Sequence, residues 1–195
     1  MLRLSSTPVV SIAKIRGRTR GIGNEFVLAC DMRFASRQSA LFGQPEIGVG
    51  LVPGGGALEW LPRLVGRSRA LEIVLNGDDF DADIAERYGW VNRTLDDGDL
   101  DSFVDTLVGR LASFDRDTLG VAKAQVNRFG TPTAAELQSS NDMIFSLLAG
   151  PSAQARRAKI RNVGYGVRSD FELNFGRYLP GFGRAVDDDT DTQPD

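Results

Sequence analysis

The glycines of residues 16–23 are the first feature of this chain that could support chemistry. The segment reads Arg16-Gly-Arg-Thr-Arg-Gly-Ile-Gly23 and lies between a β-rich apolar stretch and an apolar stretch of helical character. Glycines let a ligand approach the backbone closely, and the start of a helix presents free N–H groups and a partial positive charge. This arrangement predicts a site that binds an anion or stabilises an oxyanion.

Few side chains of the chain can transfer protons. It contains no histidine, which excludes Ser-His-Asp and Cys-His nucleophile systems and histidine-bound metals. Its single cysteine, Cys30, excludes an internal disulfide and any site with several cysteine ligands. The remaining groups are carboxylates, tyrosines and the lysines Lys14, Lys123 and Lys159. An enzyme with this composition is expected to use carboxylates and backbone N–H groups.

One interpretation of the glycine segment is a nucleotide-binding loop. The segment resembles the loop of short-chain dehydrogenases in its three glycine positions. That family also pairs a tyrosine with a lysine four residues later. The residues four positions after the three tyrosines, Tyr88, Tyr165 and Tyr178, are Asn92, Ser169 and Phe182. The required lysine is missing in each case, which disfavours this interpretation.

A second resemblance covers residues 8–95 almost continuously. The matching blocks lie in order at 8–13, 21–31, 42–56, 61–66, 70–77 and 82–91, and include Gly21-Ile-Gly-Asn-Glu25 and Pro53-Gly-Gly-Gly56. In these blocks the chain resembles the crotonase, or enoyl-CoA hydratase/isomerase, family. The resemblance implies an α/β fold with a ββα spiral core, incomplete at its N-terminus. A C-terminal helical region that mediates trimerisation would follow.

The resemblance implies an enzyme of fatty acid metabolism that adds water across the 2,3 double bond of a trans-2-enoyl-CoA thioester. Glu25 and Glu46 match the two catalytic glutamates of the family's hydratases. One is expected to take a proton from water as its oxygen attacks C3, and the other to deliver a proton to C2. Proximity and an apolar wall would raise one pKa, so that the pair holds one proton.

The resemblance also implies an oxyanion hole and a substrate pocket. The backbone N–H of Ile22 falls where the family places a donor to the thioester oxygen. Because Ile22 stands where the family usually has glycine, this role requires it to avoid a positive φ. As alternatives to contact with substrate, the pocket glycines would form a flexible turn and the apolar side chains would belong to the core. The residues expected to contact substrate are Gly21, Gly23, Leu51, Pro53, Gly54, Gly55 and Trp60.

The arginines of the glycine segment allow two interpretations. Arg16, Arg18 and Arg20 are expected to lie in an exposed loop without partners. Contact with the phosphates of CoA is the alternative, because a guanidinium binds phosphate through two parallel hydrogen bonds.

Length and charge indicate the general type of protein. The 195 residues suit one domain, and the net charge is −3. Five aspartates lie in residues 185–195 without a basic residue, so the rest of the chain is mildly basic and an acidic, disordered tail is expected at 184–195. No apolar run approaches the ~20 residues of a membrane span, and no basic run is dense enough for nucleic acid. The start lacks a signal peptide, which predicts a cytoplasmic protein.

Hydropathy and glycine placement predict the elements that position these residues. Strands are predicted at 8–15, 32–36 and 40–43, a helix buried on all sides at 24–30, a loop at 44–56 and an extended stretch at 90–95. Further helices are predicted at 57–65, 68–75, 81–88, 99–113, 117–128, 133–149 and 152–162. The predicted regions are a partial spiral core at 1–95, a helical region at 96–183 and the tail.

Compared with the family, the chain is expected to lack a segment before the strand at Pro8 that carries the first oxyanion donor. Two alternatives to a hydratase stay open. One is another acyl-CoA reaction of the family, such as isomerisation, thioester hydrolysis or decarboxylation. The other is a truncated, non-catalytic subunit that binds CoA or assembles. The expected partners are an acyl-CoA substrate and further copies of the chain, as a homotrimer or a dimer of trimers. No separate cofactor or metal is expected.

Overall fold

Six short strands form two three-stranded sheets in the computed structural model, which describes residues 1–182. The first sheet has the order β1-β3-β6 with all strands parallel; in the second, β2-β4-β5, β2 and β4 are parallel and β5 is antiparallel. The strands are β1 (Ile12–Ile15), β2 (Arg18–Arg20), β3 (Met32–Ser36), β4 (Leu41–Gly43), β5 (Asp79–Asp81) and β6 (Arg93–Leu95). The predicted α/β class is confirmed. The acidic tail predicted at 184–195 lies outside the described residues.

Helices pack around the sheets and account for most of the chain after residue 95. The seven helices predicted after residue 56 are all present within two residues of their predicted bounds. The first five are α1 (Leu2–Ser6), α2 (Ile22–Leu28), α3 (Ala57–Val65), α4 (Arg67–Asn76) and α5 (Ala82–Tyr88). The others are α6 (Leu100–Ala112), α7 (Arg116–Gly130), α8 (Ala134–Leu148), α9 (Pro151–Arg161), α10 (Asp170–Leu173) and α11 (Phe175–Tyr178), with 3-10 helices at Pro45–Val49 and Leu179–Phe182. The predicted boundary at residue 95 stays a prediction.

Capping residues explain several of these bounds. Asp81 begins α5, where its Oδ1 accepts from the Ile84 N–H at 2.8 Å. Gly77 and Gly89 end α4 and α5 in the left-handed conformation, as their positions after the helices predict. Gly66, which follows α3, does not adopt this conformation, because its φ of 79° and ψ of 162° lie outside the left-handed helical region. It joins α3 directly to α4 instead.

The first 56 residues depart most from the predicted elements. The strand predicted at 8–15 is present only over its second half, as β1. The predicted loop at 16–23 contains β2, whose Thr19 lies opposite Phe42 of β4. The predicted loop at 44–56 begins with a 3-10 helix. β2 forms by pairing with a strand about twenty residues away, and local periodicity does not report such a pairing.

The prediction of a helix buried on all sides is wrong for α2. Its apolar side chains Ile22 and Phe26 are 67% and 53% exposed, whereas Asn24 and Glu25 are buried. Buried polar groups are tolerated when they have hydrogen-bond partners, and both of these residues have partners in neighbouring elements. α2 therefore turns its polar face inward.

The apolar core lies mainly between the sheets and α2 to α5. Its largest members include Phe42 and Trp90, whose ring centroids are 5.4 Å apart. A second cluster packs β3 against α6 through Phe34, Leu100 and Val104. Within residues 1–182, no helix is both long and apolar enough to cross a membrane.

Arg33 of β3 joins three parts of the fold from a buried position. Its Nε donates to the Trp90 carbonyl at 2.9 Å, and its Nη1 donates to the Cys30 carbonyl at 2.7 Å, just beyond the end of α2. Burial lowers the pKa of the guanidinium, but the carbonyls at a helix C-terminus carry partial negative charge that favours a cation. The contacts fix the end of α2 relative to β3 and to the segment before β6.

Replacement of Arg33 by methionine is expected to destabilise the fold by about 2–4 kcal/mol, because several buried carbonyls lose their donor. Urea unfolding measures the difference. Arg37→Met is the matched control, since its ion pairs with Asp83 and Asp96 are exposed and its loss should cost less than about 1 kcal/mol. Equal losses in the two variants would contradict the assigned role of Arg33.

Candidate active site

Glu25 lies in the first turn of α2, with its side chain buried against the start of α3. Its Oε1 accepts from the backbone N–H of Gly55 at 2.7 Å and from that of Ala57 at 3.2 Å. Ala57 is the first residue of α3, so the carboxylate lies at the positive end of that helix's dipole. The carboxylate therefore contacts the start of a neighbouring helix while lying in the first turn of its own.

The pKa of Glu25 is raised by burial, which disfavours the charged form. The hydrogen bonds from the Ala57 and Gly55 N–H groups act in the opposite direction, because they stabilise the carboxylate. The negative charge of Glu59 on α3 adds to the rise. A buried carboxylate with two backbone donors can accept a proton without losing its position.

Glu46 is partly buried in the 3-10 helix at Pro45–Val49 and lies against the glycine turn from which α2 starts. A Cβ on Gly21 would lie 3.0 Å from its Oε1, so this oxygen lies directly over the glycine. Its Oε2 accepts from Gln44 Nε2 at 3.3 Å. Burial raises the pKa of Glu46 to about 7, and the charge of Glu25 contributes to the rise. The two predicted carboxylates therefore share one electrostatic environment.

The turn Gly21-Ile22-Gly23 connects β2 to α2. Gly21 has a φ of 52°, which favours glycine, and its N–H donates to the Gly43 carbonyl at 3.0 Å. No residue other than glycine has a positive φ within residues 1–182, so Ile22 meets the requirement for a backbone donor. As the first residue of α2, its N–H has no partner within the helix. A Cβ on Gly23 would face open space.

Gly54 and Gly55 allow close packing beside Glu25. A Cβ on Gly55 would lie 2.5 Å from Glu25 Oε2, and a Cβ on Gly54 would lie 2.2 Å from Ile144 Cγ2 of α8. Both glycines line a cavity of about 290 Å³ between this loop, α8 and the first two residues of the chain. The backbone of this loop is therefore tightly packed rather than a flexible turn.

The remaining pocket residues are less accessible. Leu51, Pro53 and Trp60 are buried, and Trp60 belongs to the main core cluster. Trp60 borders a separate cavity of about 400 Å³ near Cys30 and Lys123. Gly21, Gly55 and the two glutamates are thus brought together, while Leu51, Pro53 and Trp60 lie behind them. Their contact with substrate stays a prediction.

The three arginines of the glycine segment all have partners, so the expectation of a loop without partners is wrong. Arg16 donates to both Asp97 and Asp101, Arg18 Nε to the Leu173 carbonyl at 2.8 Å, and Arg20 to Asp79 and the Glu172 carbonyl. Acidic side chains and carbonyls from distant parts of the chain provide these partners. The arginines therefore tie β2 to α6, β5 and the region of α10.

Three buried polar residues behind Glu46 were not identified as site residues from the sequence. Trp90 Nε1 donates to Asn24 Oδ1 at 2.9 Å, and Asn24 Nδ2 donates to Gln44 Oε1 at 2.7 Å. Gln44 in turn contacts Glu46. The available signal was an asparagine inside an otherwise apolar helical segment, since a buried amide requires partners.

Comparison with known proteins identifies the family to which this chain belongs. Residues 1–156 match the enoyl-CoA hydratase/isomerase family. Crotonyl-CoA hydratase of Syntrophomonas wolfei is 38% identical over 116 residues, which are 60% of this chain and 44% of that protein. The short-chain-enoyl-CoA hydratase of Clostridium acetobutylicum is 35% identical over 127 residues, 65% of this chain and 48% of that protein. The chain thus spans about half the length of the curated relatives it matches.

The overall fold also matches solved structures. A crystal structure from Streptomyces avermitilis, provisionally named an enoyl-CoA hydratase, superposes with a TM-score of 0.90 at 49% identity. The match covers 91% of this chain and 64% of that one. An enoyl-CoA hydratase from Mycobacterium avium subsp. paratuberculosis gives a TM-score of 0.78 at 27% identity, over 82% and 66% of the two chains. The two sheets and the helices around them have the crotonase-like arrangement that the sequence predicted.

The raised pKa of Glu46 has a consequence for stability. The folded chain binds this proton more tightly than the unfolded chain, so stability falls as pH rises from 4.5 to about 7. Glu46→Gln, which cannot ionise, is expected to be more stable than the parent above pH 7 by up to about 3 kcal/mol. The difference should disappear below pH 4.5, where the parent carboxyl is protonated in both states.

Thermal or urea unfolding from about pH 4 to pH 8 measures this difference. Glu72→Gln is the control, because Glu72 is exposed and contacts only the Tyr88 hydroxyl among the hydrogen bonds described. If Glu46→Gln gained the same free energy of unfolding at every pH, ionisation of Glu46 would not be the cause of the gain.

Proposed function

Since the chain belongs to the enoyl-CoA hydratase/isomerase family, we propose that it hydrates trans-2-enoyl-CoA thioesters to 3-hydroxyacyl-CoA. The observation that carries the proposal is a pair of carboxyls: Glu46 lies against Gly21, Glu25 lies on the helix that starts there, and the charge of Glu25 raises the pKa of Glu46. Addition of water requires a group that accepts a proton and a group that donates one. Two such groups favour hydration over a double-bond isomerisation, which needs only one.

The environments of the carboxyls support different roles. Glu46, with a pKa of about 7, is protonated in a substantial fraction of molecules near neutral pH and is assigned as the acid that protonates C2. Glu25 receives two backbone hydrogen bonds that stabilise its charged form and is assigned as the base. As the water oxygen bonds to C3, Glu25 takes one water proton and Glu46 releases one to C2, so the net addition is one water. Proton exchange between the carboxyls and solvent then restores the starting state.

The glycine turn is assigned to the thioester carbonyl. Negative charge develops on that oxygen as water adds, and a backbone N–H held in place lowers the energy of this state. The Ile22 N–H is proposed as one donor, with Gly21 and Gly23 leaving the approach free of side chains. The cavity beside Gly54 and Gly55 is proposed to receive part of the acyl group. Coenzyme A enters as part of the substrate, and the proposed reaction needs no further cofactor.

Assembly and location are part of the same proposal. α7 and α8 expose large apolar side chains, including Phe129 and Phe145, which a neighbouring copy could cover. We propose a homotrimer or a dimer of trimers, measured by light scattering after size exclusion, and a protein that acts in the cytoplasm. A monomer at micromolar concentration would contradict the proposed assembly.

Removal of either carboxyl should abolish most of the hydration. Glu25→Gln and Glu46→Gln are each expected to lower kcat/KM by about 10²–10⁴-fold, and the double variant should lose little more, because the groups act as a unit. The assay uses the full chain and follows the loss of absorbance of the conjugated enoyl thioester as crotonyl-CoA is hydrated. Glu72→Gln controls for changes of charge outside the site. Full activity in either single variant would overturn the assignment.

A chain that assembles but turns over no enoyl-CoA would favour the non-catalytic alternative. Conversion of 3-enoyl-CoA to 2-enoyl-CoA, without formation of the 3-hydroxy product, would favour an isomerase. Chromatographic identification of the acyl-CoA products distinguishes these results.

The pH dependence should follow the two assigned roles. Glu46 must be protonated, so kcat/KM is expected to fall as pH rises through about 7. Glu25 must be ionised, so activity should also fall on the acid side as pH drops through its raised pKa. A pH profile between about 5 and 9 on crotonyl-CoA tests this. An optimum well above pH 8 would contradict Glu46 as the acid.

A further inference from the structure

A buried row of hydrogen bonds connects the core to Glu46. It runs from Trp90 Nε1 to Asn24 Oδ1 at 2.9 Å, from Asn24 Nδ2 to Gln44 Oε1 at 2.7 Å, and from Gln44 Nε2 to Glu46 Oε2 at 3.3 Å. Trp90, Asn24 and Gln44 are all fully buried. The ring of Trp90 packs between Phe42 and Phe80, with centroids 5.4 and 5.8 Å away. The row therefore begins at a side chain whose orientation is fixed by the core.

The indole sets the direction of every bond in this row. An indole N–H can only donate, so Asn24 must turn its oxygen toward Trp90 and its NH₂ toward Gln44. Gln44 must then accept with its oxygen and present its own NH₂ to Glu46. The reverse orientation would place the indole N–H against an amide NH₂ and leave a buried donor without a partner, which is unfavourable.

We infer that Trp90 is a positioning residue for Glu46: through Asn24 and Gln44 it keeps an N–H donor on Oε2 and leaves Oε1 as the oxygen that carries and transfers the proton. The inference rests on the proposed function for the use of that proton. The orientation of the hydrogen bonds in the row does not depend on the proposed function.

The surroundings of Oε1 agree with this assignment. Oε1 lies over Gly21, at the turn proposed to bind the thioester carbonyl, whereas Oε2 faces away from it toward Gln44. A proton on Oε1 is therefore on the side of the substrate. A donor on Oε2 also stabilises the carboxylate and limits the rise in pKa that burial causes.

Glu46 also receives a hydrogen bond from its own backbone N–H, which lowers its pKa and is common to all the variants below. Glu25 acts on it from α2 and raises its pKa. On α9, Arg156 donates to the Phe182 carbonyl, and on α4, Arg69 and Glu72 both contact Tyr88. The other buried tryptophan, Trp60, has an indole N–H without a partner among the described residues.

Trp90→Phe removes the donor that sets the direction and keeps an aromatic ring. The two amides can then reverse, and Gln44 can present its oxygen to Glu46, which favours the protonated form. The pKa of Glu46 is expected to rise by about one unit. Gln44→Met should give a similar rise, and the double variant should give no more than Gln44→Met alone. Trp60→Phe is the matched control and should leave the pKa of Glu46 unchanged.

The pKa is measured from the carboxyl ¹³C shift of labelled glutamate in the full chain, assigned with Glu46→Gln, so it does not depend on turnover. The alkaline limb of the crotonyl-CoA profile should move upward by the same amount. An unchanged pKa in Trp90→Phe, an equal shift in Trp60→Phe, or additive shifts in the double variant would overturn the inference. Asn24→Leu breaks the same row one bond later and provides the test if Trp90→Phe does not fold. Shifts as expected in a chain without hydratase activity would keep the inference and reject the proposed function.

Discussion

The burial of two carboxylates beside each other is the constraint on which the rest of the structure depends. Two like charges in a poorly hydrated site repel each other and lose their water, so the chain must provide donors in place of solvent. Glu25 receives them from the backbone where α3 begins, and Glu46 receives one from Gln44. The loop at 53–56, the start of α3 and the 3-10 helix are each held in place by the same carboxyl groups that they stabilise.

The rest of the fold provides a rigid frame for these donors. Trp90 serves twice: its carbonyl accepts from Arg33 of β3, and its indole N–H donates to Asn24 of α2. One residue of the main core therefore contributes to fixing both ends of α2, through its side chain at the end that carries Glu25 and through its backbone carbonyl at the end held by Arg33. A helix of only seven residues has little stability of its own, so these tertiary contacts determine its position.

Local patterns in the sequence were sufficient for some elements and not for others. The bounds of β3 and α3 were predicted correctly, and for α3 the signal is the glycine at each end, Gly56 and Gly66. The resemblance identified Glu25 and Glu46, but β2 and β5 were missed because each is a three-residue strand that forms only by pairing with β4. The contact of Trp90 with Asn24 joins residues 66 positions apart, and neither residue shows its partner in the sequence. The polar inner face of α2 was not predicted, because the partners of Asn24 and Glu25 also lie at distant positions in the sequence.

The close approach of side chains to Gly21, Gly54 and Gly55 links the evolutionary history of these positions to that of their neighbours. The space that a Cβ would fill is taken at Gly21 by Glu46, at Gly54 by Ile144 and at Gly55 by Glu25. At Gly54 and Gly55 a larger residue is therefore acceptable only together with a second change. A lineage that gave up Glu25 would lose the main obstacle at Gly55, whereas Gly21 is held to glycine by its φ of 52° even where Glu46 is lost. Among related chains, covariation of 55 with 25 beside an unchanged glycine at 21 would record which descendants abandoned this chemistry.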